Sequence, residues 1–357
     1  MHRRAVCCIA ALSLGLAGCT ASGNTRDDTA TGTVQSSPAA STSTHATTPP
    51  PTQGTWELAT TPCPPSSVNH VRVPTPAVAM VAVDACNLLV AAGPAVWIIN
   101  RGSARPVWTI PPGYDTAAIA YAGGKLWWAG RDPDGARLLS VDAAHGTMSD
   151  VTLGSATSDI VALRVMGDRV LAGMTVGDTR SVVAAVKGNR LEPLLERPGR
   201  ISGLAADPTS IAAVFTTTRH STVVWGRPDS PDDRTWNGSA NTVDVAISGG
   251  NIAVGLTRLT DEQVPNGSEI LRSSDRGHQW SVLDLGNDEL ASLAFESAQL
   301  WLSKSGPDTK VTVYTATPSG SLKPLAVAGT SEQPLRLLPV PGWTWVVGSE
   351  TNVLAAR

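Results

Sequence analysis

From Thr55 to the C-terminus, apolar runs of four to six residues alternate with Gly-, Asp- and Asn-bearing turns. Ala117-Ala118-Ile119-Ala120-Tyr121 is followed by Gly123-Gly124-Lys125 and then Leu126-Trp127-Trp128-Ala129-Gly130. Ile160–Leu163 leads through Gly167-Asp168-Arg169 to Val170–Gly173, and Val243–Ile247 through Gly249-Gly250-Asn251 to Ile252–Gly255. Runs this short, bounded by turn formers, predict strands, and helical spacing is almost nowhere sustained. Each unit reads as a small, apolar first strand, a tight turn, a second apolar strand and two further strands. The second strands are predicted to begin at Leu88, Leu126, Val170, Ile211, Ile252, Leu300 and Trp343. Four strands of about five residues with their turns need roughly 40–45 residues, the period of a propeller blade. The expected fold is therefore all-β: a seven-bladed β-propeller of four-stranded antiparallel blades over residues 55–357. Six blades with an irregular cap is the alternative. Small residues in the first strand fit innermost strands crowding a central channel.

The last unit supplies only three strands, ending with Asn352–Ala356. The missing outer strand is expected from the N-terminal side, as Val68–Val73, with Thr55–Ala59 as the other candidate. Such an exchange would close the ring and remove two open sheet edges.

Ahead of the repeats the pattern changes. Arg3 and Arg4 precede an apolar run from Ala5 to Leu16, the layout of a secretory signal. The run is too short to span a bilayer core of roughly 30 Å. Its end, Leu16-Ala17-Gly18-Cys19, resembles the lipobox of bacterial lipoproteins. That resemblance implies cleavage before Cys19 and a diacylglycerol on its thiol, hence a lipid-anchored protein facing away from the cytoplasm. From Thr20 to Gly54, 15 of 35 residues are Ser or Thr, with Pro at 38, 49, 50 and 51. So little apolar surface cannot offset ordering entropy, so a disordered tether is expected. The domain plan is a signal over 1–18, the lipidated Cys and tether over 19–54, and the propeller over 55–357.

Losing Arg3 and Arg4 takes the formal charge from −3 to −5. A weakly acidic chain has no electrostatic footprint for nucleic acid. Cys7 and Cys8 depart with the signal, leaving Cys63 and Cys86, an even pair that reads as one disulfide in an exported protein. His70, His145, His220 and His278 are scattered without metal-ligand spacing, so no metal or cofactor is expected. Asp132-Pro133-Asp134-Gly135 reads as a turn, since the later acid of a calcium loop is missing.

Ser273-Ser274-Asp275-Arg276-Gly277-His278-Gln279-Trp280, between the third and fourth strands of unit five, resembles the Asp-box of sialidases and related propellers. Gln279 stands where that family has Thr. The resemblance implies a structural hairpin: Asp275 accepts backbone hydrogen bonds within it, Gly277 permits positive φ, and Trp280 packs into the blade. Ser230–Trp236 is a shortened echo without the Gly. A sialidase-like glycoside hydrolase is one functional reading. However, the family's Arg-Ile-Pro segment is missing and no Glu is tied by spacing to Tyr114, Tyr121 or Tyr314.

The preferred expectation is a monomeric binding or scaffold module for an envelope protein or glycan. A photosystem II assembly factor built on a similar propeller shows that such rings can act without chemistry. The expected binding face gathers the loops joining blades and the loops between second and third strands: Arg131, Asp132, Arg180, Arg219, His220, Arg258, Asp261, Lys304 and Lys310. Its longest loop is expected over Arg258 to Ser268.

Overall fold

A computed structural model describes residues 56, 58–59, 73, 76–100, 103–218, 220–237, 240–260, 264–305, 311–317, 319–325, 335–340, 343–348 and 353–356. All belong to one unit, Pro50–Arg357. Every regular element among them is a β-strand. The strands form six four-stranded antiparallel sheets in simple meander order and a seventh sheet of three strands. The blades run over residues 77–109, 115–150, 157–198, 200–237, 240–284 and 289–324, and the seventh sheet over 335–356. The expectation of seven complete blades is thus corrected to six, because the last sheet is built from only three of its own strands. The candidate closing strands fall largely outside the described residues.

The second strands are Leu88–Ala92, Lys125–Asp132, Arg169–Val176, Ile211–Thr216, Asn251–Leu259, Gln299–Ser305 and Trp343–Gly348. Each begins at the predicted residue or one before it. They are the driest strands: Leu88–Ala92 is buried throughout, and Ile211–Phe215 likewise. A strand flanked on both faces by neighbouring sheets has no polar side, so its sequence is a continuous apolar run instead of an alternation.

The core is divided among the seams. Seven apolar clusters each join consecutive sheets. One of them sets Leu88 and Val90 of blade one against Trp345 and Val347 of the seventh sheet. Seam contact is close enough to dictate glycine: a methyl group at Gly255 would overlap Leu290 of the next blade. Serines stitch the same seams. Ser181 accepts the N–H of Ile201 at 2.9 Å, and Ser268 that of Leu290 at 3.0 Å.

The first strand carries a bulge against the second in all six blades. A bulge leaves one residue unpaired and re-aims its side chain. Val78 and Val161 sit at such bulges, and they are 60% and 39% exposed. They point into the central channel.

Trp56, Leu58 and Ala59 do not form a strand of the seventh sheet. Trp56 and Leu58 pack on the blade-one/blade-two core, and Ala59 is held by Asn87. This fully buried side chain accepts the Ala59 N–H at 2.8 Å and donates to its carbonyl at 2.9 Å.

Candidate functional site

On the expected binding face, most side chains lie at strand ends instead of in loops. Arg131 and Asp132 end the second strand of blade two, Arg180 begins a third strand, and Lys304 lies within Gln299–Ser305. The expected long loop after Arg258 is short, because strands continue to Leu259 and resume at Pro265.

Most of these groups are already occupied. The Asp132 side chain is only 4% exposed and accepts the N–H groups of Asp134 and Gly135 at 2.8 and 2.9 Å, together with Arg137 Nε. Burial works to raise its pKa, but the Arg137 guanidinium and the turn N–H groups outweigh it and hold the carboxyl below its usual range. Arg180 pairs with Glu196 at 2.7 Å. The His220 N–H caps onto Thr217 Oγ1 at 3.2 Å. Arg258 pairs with Asp284 at 3.2 Å and donates to the Gly286 carbonyl at 2.8 Å. Lys304 pairs with Asp288 at 2.6 Å and lies over the Tyr314 ring. These residues brace their own blades and are not gathered into one pocket. Arg131 is exposed and has no bond of this kind among the described residues. Arg219, Asp261, Lys310, Cys19 and Cys63 lie outside the described residues. Cys86 is buried beside the Asp84–Asn87 turn.

The Ser273–Trp280 turn joins the third and fourth strands of blade five. Ser273 Oγ donates to Asp275 at 2.7 Å and accepts the Gly277 N–H at 2.8 Å, while Asp275 accepts the Gln279 N–H at 2.9 Å. The Gln279 N–H, then the Ser273 hydroxyl, hold the Asp275 carboxyl below its usual range. Gly277 has φ +83, and a methyl there would strike the Trp225 indole. Trp225 comes from blade four. Its Nε1 donates to the Arg276 carbonyl at 3.0 Å, and its ring meets Trp280 edge-on at 5.2 Å. The turn therefore reaches back to the preceding blade. Ser230–Trp236, the shortened echo, is a plain fourth strand, Ser230–Asn237, and not a turn.

The remaining feature was not singled out from the sequence. First strands of all seven sheets enclose a channel of about 540 Å³, lined by Val78, Tyr121, Val161 and many small residues. Three charged side chains face it: Arg164, Asp244 and Arg336. Asp244, Ser292 and Arg336 share a register, opposite the fifth residue of their second strands: Gly255, Ser303 and Val347. Asp244 is satisfied by neighbours. Its Oδ1 accepts the Val245 N–H at 2.9 Å, and its Oδ2 accepts Ser292 Oγ and the Leu293 N–H, both at 2.9 Å. Ser292 in turn accepts the Leu337 N–H at 3.2 Å, giving a polar belt from blade five to the seventh sheet. Arg164 donates once, to its neighbour's carbonyl, Leu163 O, at 2.8 Å. Enclosure by protein lowers its pKa, Asp244 opposes that and Arg336 adds to it. Because the side chain still reaches channel water, the guanidinium remains charged. A signal existed: Arg164 and Asp244 each interrupt an apolar innermost strand.

No family model matches the chain, and no curated protein resembles it significantly. Solved structures do. A YCF48 bound to a D1 peptide superposes with a TM-score of 0.59 at 14% identity, covering 80% of this chain and 93% of its own. A selenomethionine-substituted virginiamycin B lyase from Staphylococcus aureus gives 0.57 at 10% identity, covering 79% and 94%. A chain of a mitotic checkpoint complex gives 0.56 at 14%, covering 84% and 99%. At such identities the likeness is one of fold, and that fold is the β-propeller.

Proposed function

We propose that this chain is a lipid-anchored, extracytoplasmic β-propeller that binds an envelope protein or glycan through the rim of its second-to-third-strand turns and blade connections. The observation that carries the reading is the state of that rim. Asp132–Arg137, Arg258–Asp284 and Lys304–Asp288 fix the turns and blade connections, while Arg131 is left exposed. A rim that is already ordered loses little entropy when a partner docks. The fold neighbours include a propeller solved with a bound peptide and one within a multiprotein complex, which favours a protein partner. The three-stranded sheet would take its outer strand from Val68–Val73. Val73 is buried with Trp345 and Val347 in the closing cluster, which supports that reading. Cys63 would pair with Cys86, which is buried; a linked peptide in a non-reducing digest tests the pairing. The Ser273–Trp280 turn would be an Asp-box acting as a structural stitch, as its internal bonds suggest.

The test is capture by cross-linking from detergent-solubilised membranes. Arg131→Glu should melt as the parent does and capture the partner poorly, and Cys19→Ala should leave the membrane fraction. Undiminished capture by Arg131→Glu rules out the rim. A Cys19→Ala protein still membrane-bound with a processed N-terminus rules out the anchor.

A further inference from the structure

The channel holds two arginines and one carboxylate, and the carboxylate is already committed. Asp244 takes donors from Val245, Ser292 and Leu293, all on blades five and six. Neither Arg164 nor Arg336 forms an ion pair among the described residues. Both line the same channel, where the charges of Asp244 and then Arg336 act on Arg164. Two like charges lining one channel, with the carboxylate there already committed to other donors, leave it net positive and favour an anion. Apart from these charges and the hydroxyls of Tyr121 and Ser292, the lining side chains are apolar. The bulged Val78 and Val161 expose their side chains there, with Ala117, Ala118 and Ala162 beside them. Exposed valines on an innermost strand offer no benefit to folding and suit contact with a carbon skeleton.

We propose that the channel binds a monoanionic ligand with a compact apolar body, its carboxylate seated between Arg164 and Arg336. The charge balance selects the anion: two guanidiniums less Asp244 leave a single positive charge, matched by one carboxylate and not by a phosphate dianion. Guanidinium geometry fits it as well, since its planar fork pairs with the two oxygens of a carboxylate. About 540 Å³ admits a small organic acid or the last residues of a peptide. This site is separate from the rim and does not require the rim reading to hold.

The experiment is isothermal titration of the full chain, in a non-ionic detergent, with two pairs of probes: butyrate against butyramide, and acetyl-Val-Ala-Leu with a free against an amidated C-terminus. At least one acid should bind saturably, and its amide should not. Binding of the peptide acid alone identifies a chain end as the source, binding of butyrate alone a free small acid, and either supports the site. Arg164→Gln and Arg336→Gln should each weaken binding about tenfold or more, as for loss of a charged hydrogen bond, while Arg164→Lys should keep part of it. An amide that binds as tightly as its acid overturns the proposal. So does undiminished binding by the doubly substituted protein, or absence of saturable binding of both acids at millimolar concentration. The acid–amide comparison needs no variant, so a misfolded substitution leaves the test intact. Arg131→Glu should bind the acid normally, which separates failure of this site from failure of the rim.

Discussion

The seam between blades four and five and the seam between the seventh sheet and blade one use the same chemical device. In each, a tryptophan buries its ring between sheets and donates its indole N–H to a backbone carbonyl across the seam. Trp225 donates to Arg276 at 3.0 Å, and Trp345 to Asp84 at 2.9 Å. The supports differ. At the first seam the receiving carbonyl belongs to a turn that orders itself, through Ser273, Asp275 and Gly277. At the second, the carbonyl belongs to the Asp84–Asn87 turn. There Asp84 Oδ1 accepts the N–H groups of Cys86 and Asn87, and Asn87 reaches out to Ala59. One seam is held by a local motif and reinforced by its neighbours. The other depends on residues 261 positions apart in sequence. A ring has one closing seam, and loss of that seam opens two sheets at once.

The sharpest way to break the comparison is Trp345→Ala. Trp345 is 7% exposed, and truncating a buried Trp costs about 3–5 kcal/mol. The chemical-denaturation midpoint should fall accordingly, and amide exchange should rise first in blade one and the seventh sheet. Trp345→Phe should cost about 1–2 kcal/mol, mainly the lost hydrogen bond. A Trp345→Ala protein as stable as the parent would show that the closing seam carries no special weight.

Gly277→Ala comes next. The residue must keep φ +83 and its new methyl must displace Trp225, for a cost of about 2–3 kcal/mol. Faster exchange should be confined to blades four and five. If it spreads round the whole ring, the two seams are not independent.

The smallest effect is the pH dependence of the turn. The folded pKa of Asp275 is depressed by the Gln279 N–H and the Ser273 hydroxyl. Its contribution is therefore present above the unfolded carboxyl pKa, about 3.9, and is lost as pH falls through the folded value. The parent should lose stability on acidification below about pH 4 more steeply than Asp275→Ala, measured by urea midpoints. Parallel slopes for the two proteins would remove Asp275 from the stitch.

How much was legible follows from range. The second strands were placed to within a residue because each is a continuous apolar run bounded by a turn former, as in Leu88–Ala92 and Ile211–Thr216. The Ser273–Trp280 turn was legible because its bonds span four residues or fewer. Its grip on Trp225 was not, since that pairing spans 51 positions. The candidate rim was read from charge and expected loop position alone. The partners of its charges were not legible, since Asp132, Arg258 and Lys304 each pair with a residue that only the folded blade brings beside it. The channel charges were overlooked because an isolated Arg or Asp in an apolar strand gives no sign of what it faces.

By itself, then, the sequence determined what is periodic and local: strands, turns, a repeat of about the length of a blade, and the hairpin at Ser273–Trp280. Those follow from side-chain alternation, backbone preference and hydrogen bonds that close within a few residues. Only the tertiary structure decided which tryptophan caps which carbonyl, where Asn87 pins Ala59, and that Arg164 and Arg336 share one channel. These pairings depend on the curvature of the ring. Bulges in six first strands and close packing at seven seams set that curvature, and together they bring residues from distant repeats to the same axis.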